Sequence, residues 1–160
     1  MNIIRLTTWR HGDVISVMAP CVRFGIKGSA TDVSYVDGVE IINVIGIHNG
    51  EVDEGYVTLE GKYTQIELES RRIPRWEEIV ESVKNGAKSL PYFDIIGWDI
   101  TVDRNGEVIC IEYNLKCPGT IVYQFVHGPM ASDETDNYLS FLRETNNQKK
   151  YLPSCISAKR

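Results

Sequence analysis

The spacing of apolar and polar positions divides the chain into a β-rich first half, a central helix and a second pair of strands. Residues 3–9 and 14–24 are rich in β-branched and apolar side chains. They flank Arg10-His11-Gly12-Asp13, which predicts a hairpin. Gly25 to Asp32 reads as a loop of small residues. The apolar run from Val39 to Ile47 closes on His48-Asn49-Gly50, and the Asn-Gly pair predicts that Glu51 to Leu59 folds back on it. Around Glu60-Gly61-Lys62 the pattern dissolves into a polar connection. Ile79, Val80, Val83, Ala87 and Leu90 then recur at helical spacing, with Glu77 and Glu78 in the first turn and Pro91 as the stop. Two strands follow, Asp94 to Val102 and Glu107 to Asn114, around Asp103-Arg104-Asn105-Gly106. A helical turn is predicted near residues 121–125 and a second helix over Glu134 to Arg143. Hairpin connections outnumber helices, so the expected class is α+β, an antiparallel β-sheet flanked by helices. One domain is expected over residues 1–145, followed by a polar, frayed tail at 146–160.

The second hairpin carries the candidate chemistry. With Asn105-Gly106 as a two-residue type I′ turn, Arg104 faces Glu107 and Asp99 lies directly across from Glu112. Asn114 points to the same side as Glu112, because side chains alternate along a strand. Ile96, Trp98, Ile100, Val102, Ile109, Ile111 and Tyr113 form the opposite, apolar side and are expected to face the core. Opposed carboxylates about 5 Å apart repel each other. A cation between them reverses that sign, and Asn114 adds a neutral oxygen, a donor set that suits Mg²⁺ or Mn²⁺. The competing reading is a solvent face whose acids pair with lysine or arginine from elsewhere.

Composition narrows the classes. A net charge of −5 argues against nucleic-acid binding, which needs a basic face. The hydrophobic content of 42% is that of an ordinary globular chain, and no run approaches the roughly 18 apolar residues of a membrane span. Cys21, Cys110, Cys117 and Cys155 show no CxxC spacing, which reads as reduced thiols in a cytoplasmic protein. His11, His48 and His127 are scattered, so a zinc site is not expected. Trp9, Trp76 and Trp98 are expected to pack in the core. The first strand begins almost at Met1, which suggests a chain that starts within a larger architecture.

Gly97-Trp98-Asp99-Ile100, followed by Ile111-Glu112-Tyr113-Asn114 and Pro118, resembles the C-terminal lobe of ATP-grasp enzymes, nearest to the sugar-transfer-associated group. Residues 2–8, Val22-Arg23-Phe24-Gly25, Asp37-Gly38-Val39 and residues 73–79 are similar to that group in order and spacing. The resemblance implies that Asp99, Glu112 and Asn114 hold Mg²⁺ (or Mn²⁺) on the phosphates of ATP. It implies that Arg5, and Arg23 after it, contact phosphate or an anionic substrate group. It also implies ligase-type chemistry through an acyl phosphate, on a small-molecule or sugar-linked substrate of polysaccharide biosynthesis. From the residues alone, each arginine reads as a surface or ion-paired cation. The family's preceding lobe supplies lysines and a glycine-rich loop that cannot be located in this sequence. A missing N-terminal lobe or partner chain is therefore expected, a homo-oligomer stays open, and the domain is not expected to act alone. Gly97 stands where some of these ligases carry arginine, no asparagine follows Asp32 in the Thr31–Ser34 segment, and Lys27-Gly28-Ser29 lacks the P-loop spacing. The alternative is a non-catalytic remnant or interaction module that keeps the fold.

Overall fold

Antiparallel pairing links every strand neighbour of the sheet. The computed structural model describes residues 2–25, 33–36, 39–59, 62–116, 123–130 and 135–147. In chain order it has β1 (Asn2–His11), β2 (Val14–Phe24), β3 (Val33–Val36), β4 (Val39–Gly46), β5 (Glu51–Leu59), β6 (Lys62–Arg72) and α1 (Trp76–Lys88). Then come β7 (Ile95–Val102), β8 (Val108–Asn114), α2 (Gln124–His127) and α3 (Thr135–Asn147). The strand order is β6-β5-β4-β2-β1-β7-β8, with β3 attached to β4. The expected α+β class with an antiparallel sheet is what forms. Lys27-Gly28-Ser29, Thr31, Asp32, Asp37, Gly38, Cys117, Pro118, Cys155 and residues 148–160 lie outside the described residues.

One face of the sheet is the main core. Ile4 and Leu6 of β1 and Ile96, Trp98 and Ile100 of β7 alternate onto it, and Ile79, Val83 and Ala87 of α1 pack against them. Gly86 allows the helix to approach: a Cβ there would stand 2.7 Å from the Trp98 ring, which is pinned by its Nε1–H donating to Thr8 Oγ1 at 2.8 Å. Arg10 donates to the Ala87 carbonyl near the C-terminus of α1, where helix carbonyls lack partners and a cation is favoured. Trp9 points to the other face, where it meets Tyr138 and Phe141 of α3 and stacks on His11. Trp9 and Trp98 are buried and Trp76 packs against the main core, as expected.

Three expectations change. β6 runs 11 residues through the stretch read as polar connection; its side chains are nearly all exposed, so an edge strand leaves no apolar period to read. β3 was likewise not anticipated. The β7–β8 turn is a three-residue loop, closed by Asp103 N–H to Glu107 O at 2.9 Å and Gly106 N–H to Asp103 O at 3.1 Å. Gly106 takes φ +84°, and the Asp103 carboxylate accepts from the N–H groups of Asn105 and Glu107, both at 2.8 Å. This local capping selects the longer loop over the type I′ turn.

Candidate functional site

The longer turn shifts the hairpin by one residue, so Val102 faces Val108 and Ile100 faces Cys110. A bulge between Asp99 and Ile100 takes up the extra residue in β8 and restores Asp99 opposite Glu112 and Gly97 opposite Asn114. The expected pairing of Asp99 with Glu112 is thus present, though reached by two compensating irregularities. The expected core side does not hold along β8. Ile109, Ile111 and Tyr113 are exposed, because β8 is an edge strand beyond the reach of α1, while Val108 packs against the core.

On the face opposite α1, neighbouring strands place a row of polar groups. Cys21 faces Arg5, Arg5 faces Asp99, and Asp99 faces Glu112. Arg5 forks onto Asp99, with Nε donating to Oδ1 and Nη2 to Oδ2 at 2.6 Å, and both residues are buried at 6% and 3% exposure. Arg5 is therefore ion-paired, as the residue-level reading allowed. Glu112 is exposed; it shares a hydrogen bond with Asp99 and accepts from Asn114 Nδ2 at 3.2 Å.

Burial pushes the Asp99 carboxyl up against the pull of Arg5, and the bond to Glu112 adds to the rise. That same bond, with the one from Asn114, holds Glu112 below the usual carboxylate range. Burial by itself would lower Arg5; its hydrogen bond to Asp99 leads the effects that hold it above its usual value. Cys110 Sγ–H donates to the Glu112 carbonyl at 3.5 Å, and burial followed by the nearby carboxylates raises its thiol.

Arg23 lies two residues beyond Cys21 on β2, opposite Ile3 and Val44, and its charge is felt at Asp99, Glu112 and Tyr123. The structure thus gathers all five sequence-derived residues, Arg5, Arg23, Asp99, Glu112 and Asn114, onto one face. Among the described residues no group of three or more His, Cys, Asp or Glu side chains is placed to hold a metal. The third donor beside the two carboxylates is the Asn114 amide. Two carboxylates and an amide oxygen fit a hard divalent ion, whose charge would offset the repulsion between the opposed Asp99 and Glu112.

Sequence reasoning missed Tyr123. It is 3% exposed and packs with Ala19, Cys21, Val44 and Val126, with the Arg5 guanidinium carbon 5.9 Å from its ring centroid. The only signal for it was the helical turn expected near residues 121–125. His48 and His127, read as scattered, are in contact with ring centroids 4.8 Å apart. No described helix is long and apolar enough to cross a membrane.

Comparison with known proteins finds no match among curated proteins or solved structures. A family model, sugar-transfer associated ATP-grasp, matches residues 1–138, which takes in β1 through β8, α2 and every residue of the polar row. The chain belongs to the sugar-transfer associated ATP-grasp family.

Proposed function

We propose that this sheet face is the Mg²⁺- and ATP-phosphate-binding side of an ATP-grasp enzyme's C-terminal lobe. The enzyme would use ligase-type chemistry on a small-molecule or sugar-linked substrate. The observation that carries the reading is the row Arg5, Asp99, Glu112, with Asn114 beside it, set across three strands on one face. Asp99, Glu112 and Asn114 would hold the metal, whose charge would screen the phosphates and favour phosphoryl transfer. Arg5, whose fork matches a phosphate as well as a carboxylate, would meet a phosphate oxygen or an anionic substrate group, and Arg23 would add a second guanidinium. The opposing lobe, with the family's lysines and glycine-rich loop, would close the other side of the nucleotide.

Calorimetric titration with Mn²⁺ and Mg²⁺, with and without ATP, tests this against Asp99→Asn and Glu112→Gln. The wild-type chain is expected to bind metal more tightly with ATP present, and each variant to lose that gain. Identical heats in wild type and both variants would remove the metal site and favour a non-catalytic interaction module.

A further inference from the structure

Two arginines on one face repel each other, and a polyphosphate site needs them held at a set spacing. Asp99 fixes Arg5 from one side. Tyr123 touches both arginines from the other. The Arg5 guanidinium lies within cation–π range of the Tyr123 ring at 5.9 Å. The Arg23 side chain lies within hydrogen-bonding reach of the Tyr123 hydroxyl. Tyr123 is itself well anchored. Its carbonyl accepts from the N–H groups of Val126 and His127 at 3.2 and 3.1 Å, and His127 Nε2–H donates to the Pro20 carbonyl at 2.6 Å. Pro20 lies beside Ala19, at φ +43°, in the β2 bulge facing Leu6, so Tyr123 is tied to the irregularity that separates Arg5 from Thr7 in register. Gly46 leaves the room α2 needs: a Cβ there would come within 3.2 Å of Val126.

We infer that Tyr123 is a positioning residue for polyphosphate, holding Arg5 through its ring and Arg23 through its hydroxyl. The inference rests on the phosphate-binding role proposed above for the two arginines. Burial raises the phenol, so Tyr123 stays a neutral hydroxyl that can accept from Arg23 while keeping its own proton to donate. Its two contacts are separable by chemistry. Tyr123→Phe keeps the ring beneath Arg5 and removes the bond to Arg23; Tyr123→Leu removes both.

The experiment uses the full chain, Mn²⁺, and sodium tripolyphosphate or ATP as probes. It reads calorimetric affinity, thermal midpoint and the rate at which phenylglyoxal modifies Arg23, followed by peptide mass spectrometry. Tyr123→Phe is expected to weaken tripolyphosphate binding roughly three- to tenfold, the net worth of one ordinary hydrogen bond. Its midpoint should stay within about 2 °C of wild type, and Arg23 should react faster. Tyr123→Leu should lose more affinity and also stability. If wild type binds and Tyr123→Phe matches it in affinity and Arg23 reactivity, the inference alone is overturned. A Tyr123→Phe that loses affinity only in step with its midpoint makes Tyr123 a packing residue, which also overturns it. If wild type binds neither probe, the phosphate-site reading falls and takes the inference with it.

Discussion

Arg5 and Asp99 show how one pair can serve both folding and a site. Each is almost fully buried, and each occupies the other's charge with two hydrogen bonds in a region where solvent cannot replace them. Removing one partner leaves a buried charge without compensation, which costs about 3–5 kcal/mol, whereas replacing both by apolar groups of similar size is close to neutral. Asp99→Ala is therefore expected to lower the unfolding free energy in urea by about 3–5 kcal/mol, and the double variant Arg5→Met/Asp99→Leu by much less. A loss near zero for Asp99→Ala would mean that water reaches the pair. Glu112 is exposed, so Glu112→Gln should alter stability by no more than about 0.5 kcal/mol. Of the two metal-site variants it is the one whose binding data are free of a folding contribution. The opposition of Asp99 and Glu112 was legible because both lie on one hairpin. The Arg5–Asp99 fork spans 94 residues of sequence, and no local pattern announces which strand β1 will choose as its neighbour.

Elements differ in how much of themselves they write into the sequence. α1 was legible from five apolar positions because a helix that covers a sheet must bury a stripe at its own period. β6 was not, since an edge strand buries little and the alternation that marks a strand fades with the burial that causes it; β8 was legible as a strand, but its expected core side was not the buried one. α2 has only four residues, too short for any period, and is held by specific contacts instead. Its last residue, His127, donates to Pro20 and lies against the His48 ring, and burial, with the neighbouring His48, holds its imidazole below the usual value. The sign follows from linkage: the unfolded chain takes up a proton at His127 more readily than the folded one does. Stability from the neutral ring is complete above the unfolded value of about 6.5 and is lost as the pH falls below it. Wild type should therefore lose thermal stability between about pH 7.5 and pH 5.5, and His127→Asn should lose less over the same interval. Equal slopes for the two proteins would show that His127 is not the titrating group.

At the scale of the whole molecule, the sheet separates two tasks. The face covered by α1 is apolar and supplies the main core, while the opposite face carries the polar row, with Tyr123 and α2 packed beside it. β1 serves both faces at once: Leu6 and Thr7, adjacent in sequence and pointing opposite ways, are each at 0% exposure. β1 is flanked by β2 and β7, whereas β6 and β8 form the edges of the sheet. Local opening is cheapest where few apolar contacts and exposed backbone coincide. Amide hydrogen exchange is thus expected to be slowest in β1 and its two neighbours, and fastest in β6 and β8. Adding Mn²⁺ and ATP then asks whether the polar face is a ligand face. If it is, protection should rise in β8, at residues 123–127 and in β7 around Asp99, while β6, four strands from β1 across β2, β4 and β5, stays as it was. A uniform rise along every strand would be stabilisation by mass action without a local site. No rise anywhere would leave the polar row as an ion-pair network that shapes the sheet and binds nothing.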